Sequence, residues 1–445
     1  MENTLLPNPL DIILWYISIL RGLAPFLGLL WEILLNWIWF VLPFFLWPRV
    51  SKQWLFWRQI IRDDPSALLE IRIPGDIEKP IRAMEVVLTG FWQVYGPPNW
   101  FEKWWEGKTN PDFSLEIISV EGSPHFLIRV PAKQRDMFEQ HIYAQYPEAE
   151  IYEVEDHTKK VPQNIPNEYW DIWGTDYKMG KEHLPLRTYR DFETERETTE
   201  EKRIDPIASL LEGLSKLEEG EQIWILIHAE PMTAELEEGK EFEKKASKEI
   251  QKIAGRKEKP APLGVFGEAF NMLTGYPKKK EAPEDDAYPE MKLTSGEKEE
   301  LSAIERKMGK QYFNCFIRYA YIAKREKFSG GRLKIPMSYF NHFNSPGLGS
   351  MLPNSDTITK VKQNWYDFFW KTEERLYLKK RRMFRNLIRR TPAFWPEPPS
   401  DATFILNAEE LASLYHFPSK TSVPISTVPR VEAKKKEAPY DLPTE

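Results

Sequence analysis

Apolar and polar positions follow two regimes along the chain. From Ile12 to Trp47 the apolar run is broken by only two charges, Arg21 and Glu32. The stretch from Phe26 to Trp47 is 22 residues with one carboxylate, and a helix of that length, rising about 1.5 Å per residue, matches a hydrocarbon core of about 30 Å. At least one transmembrane helix is therefore predicted. Residues 10–24, set off by Gly22 and Pro25, form a shorter apolar stretch that fits either a thin second span or a helix lying in the interface. Trp47, Arg49, Lys52, Trp54, Trp57 and Arg58 then interleave indoles with cations, as membrane-interface residues do, and the stretch from Arg49 to Arg62 reads as a short amphipathic helix along the surface.

Beyond Ala67 the spacing becomes that of short strands and helices. Leu68 to Pro74 alternates as a strand with one wet face, and Pro80 opens a helical stripe of Ile81, Met84, Val87, Leu88, Phe91 and Val94 that Gly96-Pro97-Pro98 stops. Two β-rich runs, 113–120 and 125–130, flank a turn at Glu121-Gly122-Ser123-Pro124, followed by a helix over 132–146 and a strand over 149–154. The order β-α-β-β-α-β predicts a ferredoxin-like sandwich.

A second α+β unit is predicted from a helix at 205–217, a strand at 222–229, a helix at 233–253, the capping-box pattern Thr294-Ser-Gly-Glu297, a strand at 312–323, a helix at 336–342, a strand at 403–406 and a helix at 408–415. The fold class expected is thus α+β: an N-terminal transmembrane segment followed by two ferredoxin-like units. Its parts are a membrane anchor with an interfacial helix at 1–62, a ferredoxin-like domain at 63–160, a second α+β domain at 161–417, and a Pro- and Lys-rich linker tail at 418–445. Residues 255–292 read as a mobile insertion with a short amphipathic helix at 263–273.

Composition narrows the chemistry. With 61 Lys and Arg against 67 Asp and Glu, the net charge is −6, so any contact with nucleic acid must be local. A lone cysteine, Cys315, excludes an intrachain disulfide and sits in an apolar strand as a small buried hydrophobe. No GxxxxGK[ST] loop, no HExxH and no GxSxG elbow is found, and the seven histidines show no helix-spaced pair. No catalytic, cofactor or metal residue is therefore expected, and the reading is noncatalytic.

One charged segment is more pointed. Residues 371–390 hold nine Lys or Arg, among them Lys379, Lys380, Arg381, Arg382, Arg385, Arg389 and Arg390, with Met383, Phe384, Leu387 and Ile388 as an apolar side. Such a basic amphipathic helix suits anionic lipid, DNA phosphates, or plain solvation over its packed side. Positive charge after the apolar run, against Glu2 and Asp11 before it, places the bulk of the chain in the cytoplasm at the inner (cytoplasmic) membrane. The acidic start and the length of the apolar stretch argue against a secretory signal peptide.

Leu68-Leu-Glu-Ile-Arg-Ile-Pro74, Ala83 to Thr89, Phe113 to Gly122, Glu139 to Glu155, Asp205-Pro-Ile-Ala-Ser209 and Asn407 to Pro418 together give the chain a family likeness. It resembles the membrane-anchored N-terminal half, a domain of unknown function, of type IV secretion or conjugation-like ATPases from small-genome uncultured bacteria. In such proteins a RecA-like motor of the HerA/FtsK type follows. This chain carries no Walker residues, so the resemblance implies an assembly module whose motor ATPase acts in trans, or a truncated gene product; the alternative readings are a stand-alone membrane scaffold or interaction protein unrelated to transport and, behind it, a membrane-bound hydrolase whose site forms only in the fold. The expected partners are a lipid bilayer, that ATPase, anionic lipid or DNA through residues 371–390, and further copies in a homo-oligomer; no cofactor is expected.

Overall fold

The structure is a computed structural model that describes residues 9–61, 65–74, 79–192, 205–254, 293–361, 369–392 and 402–418. The expected insertion with its short helix, and nearly all of the linker tail, lie outside the described residues. The chain divides into two units, Met1–Asp63 with Pro97–Thr109, and Asp64–Gly96 with Asn110–Glu445.

The first unit is built on one 53-residue helix, α1 (Pro9–Ile61), which runs through Pro25, Pro43 and Pro48 without the expected break. The transmembrane expectation is corrected here: among the described residues no helix is long and apolar enough to cross a membrane. The reason lies in the kind of apolar residue. Arg21, Glu32, Asn36 and the indoles of a Trp-rich stretch interrupt the aliphatic run, and each brings polar atoms that hydrocarbon cannot satisfy. The stretch from Arg49 onward continues α1 rather than forming a separate surface helix.

The second unit is a single nine-stranded antiparallel sheet carrying helices. Its strands are β1 (Ser66–Arg72), β2 (Phe113–Val120), β3 (Ser123–Pro131), β4 (Glu150–Glu153), β5 (Trp170–Met179), β6 (Glu221–Met232), β7 (Tyr312–Lys324), β8 (Met351–Pro353) and β9 (Phe404–Asn407), in the order β4-β1-β3-β2-β6-β7-β5-β8 with β9 on β7. This corrects the expectation of two ferredoxin-like sandwiches. β2 pairs with β6 from Phe113↔Ala229 to Val120↔Gln222, so the edge that would close a first sandwich is consumed by the next strand and the sheet continues. β5, which the sequence pattern does not reveal, joins along β7 from Trp170↔Lys324 to Asp176↔Arg318.

Alternation sorts the side chains onto two faces. Leu115, Ile117, Ile225, Ile227, Cys315 and Ile317 point into the main core. Packed there are α2 (Ile81–Phe91), α3 (Arg135–Gln145), α5 (Pro206–Ser215), α8 (Lys334–Asn341) and α10 (Ala408–Leu414), with the short α4 (Tyr189–Phe192). α2 buries Ile81, Met84, Val87, Leu88 and Phe91, one helical stripe, and each such side chain contributes roughly 1.5–3 kcal/mol. α2 can approach α3 only because position 90 is glycine: a Cβ there would lie 2.3 Å from the His141 ring. α6 (Glu237–Ile253) and α7 (Ser295–Met308) pack together at the side, and α7 starts with the predicted capping box of Thr294 and Glu297.

The opposite face carries Ile118, Trp224, Ala320 and Ile322 and is covered by α9 (Phe369–Arg389) through Met383, Phe384 and Leu387, with Ile388 partly buried beside them. The apolar side assigned to this helix from its sequence is thus the side that packs. Gly174 on β5 makes room for it, since a Cβ there would come 2.9 Å from the Tyr319 carbonyl and 3.2 Å from Met383 Cγ.

Candidate polyanion-binding face

Even-numbered positions of the central strands put Glu116 and Arg318 on the face beneath α9, with Asp176 of β5 beside them, all buried. A buried charge is tolerated only when paired, and the pairs decide how α9 sits. Arg318 Nε and Nη2 donate to Asp176 Oδ1 and Oδ2 at 2.6 and 3.0 Å, and its Nη1 reaches the Thr391 carbonyl at 2.8 Å, just past α9. Lys380 Nζ donates to both Asp171 oxygens at 2.7 Å.

Arg390 is the third fastener. Its Nε and Nη2 donate to Glu116 at 2.6 and 3.2 Å, and Nη1 and Nη2 to Asp156 at 2.8 and 3.1 Å. Two carboxylates thus share one planar guanidinium, the fork geometry that lysine lacks. Arg390 also ends α9 in the left-handed region at φ 53°, where glycine is the usual residue, and the Thr391 N–H closes the turn on the Asn386 carbonyl at 3.2 Å. A left-handed arginine costs about 1–2 kcal/mol in backbone terms, and the buried ion pairs account for its presence.

The electrostatics follow. Burial pushes the Glu116 carboxyl up, but the charge of Arg390 and the hydrogen bonds from Arg390 and Ser114 outweigh it, leaving the group below its usual range. The same contest leaves Asp156 low, through Arg390 and the Thr158 N–H. His157, edge-on to Trp224 at 4.5 Å between ring centres and 3.8 Å from Glu116, has its pKa lowered chiefly by burial, so it is neutral at pH 7. Across β1 and β3, His125 Nδ1 lies 2.7 Å from Glu70, whose carboxyl is lowered to about 2 against the pull of burial by hydrogen bonds from His125 and Arg72.

The cations singled out in the sequence therefore divide. Lys379 reaches the carbonyls of Ile358 and Lys360 at 3.5 and 3.4 Å; Lys380 and Arg390 are fasteners; Arg381 is exposed but donates to the carbonyls of Gln163 and Ile165 at 2.7 and 3.2 Å. Arg382, Arg385 and Arg389 stand exposed on the outer side of α9, with no carboxylate partner among the described residues. Spaced by three and four residues, they share one face. Partial burial and then the charges of Arg389, Arg382 and Arg381 lower the Arg385 guanidinium from its usual range. Such a stripe attracts closely spaced anions through counterion release.

The membrane-interface residues belong to the first unit. Trp47, Arg49, Lys52 and Trp54 are exposed on α1, the Arg58 guanidinium lies 5.3 Å from the Trp54 ring centre, and Trp57 is in the helix with its side chain outside the described residues. Cys315 is fully buried and burial raises its thiol well above its ordinary range, as a core position requires. Among the described residues no group of His, Cys, Asp or Glu is arranged to hold a metal ion.

Sequence reasoning missed the acids that pair with α9. Glu116 sits inside the run Phe113-Ser-Leu-Glu-Ile-Ile, where a charge on an otherwise apolar strand is the one available signal, and its partner lies 274 residues away. Among the described residues, a nine-stranded antiparallel sheet carries helices on one face and one basic helix clamped on the other, an α+β fold with an arginine face. The chain belongs to the family described as Domain of unknown function (DUF8128), whose model matches residues 63–428. None of the curated proteins compared with it matches.

Proposed function

We propose that this protein is a noncatalytic scaffold working at the cytoplasmic face of a membrane, lying on the bilayer rather than through it. Its place would be in an assembly of the type IV secretion or DNA-translocation kind, where it positions a separate motor ATPase. The observation that carries this reading is the surface of α1: Phe26, Leu27, Leu29, Trp31, Ile33, Leu35, Phe44, Phe45 and Trp47 are all exposed. Apolar surface on that scale is unfavourable in water and marks a site for lipid or protein. The arginine face of α9 supports the same reading, because anionic headgroups present phosphates that its exposed guanidinia suit. The motor ATPase as a partner rests on the family resemblance. Flotation of the purified full chain with vesicles of phosphatidylcholine and phosphatidylglycerol tests the proposal, with ATP turnover measured on the same preparation. The protein is expected to float and to hydrolyse no ATP; a chain that stays at the bottom of the gradient, or one whose ATP turnover persists through a second purification step, contradicts it.

A further inference from the structure

The segment Pro97–Thr109 belongs to the same compact unit as α1, and its sequence Pro-Pro-Asn-Trp-Phe-Glu-Lys-Trp-Trp-Glu-Gly-Lys-Thr is as Trp-rich as the start of the chain. Two contacts seat it on the end of α1. Trp54 Nε1 donates to the Trp104 carbonyl at 3.2 Å, and Gly107, at φ 71°, lies so close to the Arg58 backbone that a Cβ would stand 2.8 Å from the Arg58 carbonyl. Between them Glu102–Glu106 makes a single π-helical turn, a wide form that recurs at functional positions. Lys108 ties that turn to the segment's two acids, 2.5 Å from Glu102 and 2.9 Å from Glu106.

Both segments expose aromatic side chains on the surface of this unit. Trp100 is 76% exposed, Trp105 61%, Phe44 77% and Trp47 69%, and Phe101 stacks on Trp105 with ring centres 6.3 Å apart. Together, residues 44–58 and 97–109 carry five Lys or Arg against two Glu, and both Glu are held by Lys108. Indoles combine an apolar ring with a polar N–H, and long cationic side chains keep their heads in water above apolar stems, the mixture that suits the boundary between acyl chains and headgroups. The excess of positive charge complements an anionic leaflet.

We infer that the 97–109 loop and the C-terminal end of α1 form one interfacial anchor, in which Trp100, Phe101 and Trp105 insert at the headgroup boundary of an anionic bilayer while Lys52, Arg58 and Lys103 meet its phosphates. The inference rests on the membrane reading above and names the site by which the chain attaches. Its test uses the full chain. Cys315 is buried, so W105C offers the accessible thiol for an environment-sensitive NBD label, and the emission is read with and without vesicles of phosphatidylcholine and phosphatidylglycerol. In parallel, W100A/F101A/W105A is compared with the parent by flotation, with circular dichroism confirming that both are folded. The emission is expected to shift to the blue and brighten on vesicles, and the triple variant to bind them about tenfold more weakly or worse. A parent that floats while the label stays unmoved overturns the anchor and leaves the membrane reading in place; a parent that does not float overturns both. A shift that follows protein concentration without vesicles assigns the face to a second copy of the chain and overturns the lipid occupant.

Discussion

α1 and α9 are the two helices that the sequence singles out, and they treat their surfaces in opposite ways. α1 exposes Phe44, Phe45 and Trp47, side chains that a folded protein usually covers. α9, at the face it turns to the sheet, buries Arg390 and half-buries Lys380, charges that a folded protein usually leaves in water. The contrast separates charges that the fold itself compensates from groups that it leaves exposed. Arg390 is compensated by Glu116 and Asp156 and is therefore structural, whereas Arg382, Arg385 and Arg389 on the same helix have no carboxylate partner among the described residues, and Phe44, Phe45 and Trp47 of α1 stay exposed.

The buried side of that contrast breaks most sharply at Arg390. R390M leaves Glu116 and Asp156 charged beneath α9, and chemical denaturation should register a loss of about 3–5 kcal/mol. Adding E116Q to it should recover part of that loss, because one orphaned charge disappears. A smaller loss, roughly 1–3 kcal/mol, is expected from G174V, since the new side chain meets the Tyr319 carbonyl and Met383 where α9 must seat.

Protonation dissects the same face in two steps. His157 and His228, whose pKa values burial lowers from 6.5, prefer to be neutral when folded, so stability is full above about pH 6.5 and declines as pH falls below it. Glu116, Asp156 and Glu70 are held below their ordinary values of 4.5, 3.8 and 4.5. Their contribution is present above those values and is lost as pH falls through the lowered ones, toward about 2 for Glu70. Denaturation midpoints across pH 3–8 check both steps, and H157N should flatten the first. The exposed side sharpens the comparison with the smallest change in stability: R382Q/R385Q/R389Q should unfold within about 0.5 kcal/mol of the parent. Its binding to duplex DNA or anionic vesicles should nonetheless lose salt dependence, by a slope of about one for each arginine that meets a phosphate.

Local pattern carried much of the fold. The stripe Ile81, Met84, Val87, Leu88, Phe91, the Thr294–Glu297 capping box and the apolar side of α9 could each be read because neighbours in sequence are neighbours in space. β5 could not, because Asp171, Gly174 and Asp176 break the apolar alternation for reasons that lie in Lys380, Met383 and Arg318. The continuation of the sheet from β2 to β6 was hidden for the same reason: a strand edge does not declare its partner. The apolar count over α1 misled where it treated indoles as equivalent to aliphatic chains. For the candidate site, residue type located the basic helix, but only the packed structure tells Arg390 from Arg389, neighbours in sequence of which one is buried and the other exposed.

The central claim, a scaffold held on a membrane by exposed aromatic and cationic side chains, is tested most directly by fractionating cells that express the full chain and washing the membranes first with high salt and then with alkaline carbonate. The account predicts that the protein sediments with membranes, is partly released by salt and is fully released by carbonate, as a chain lying on the bilayer must be. Recovery of the protein entirely in the supernatant before any wash would contradict it.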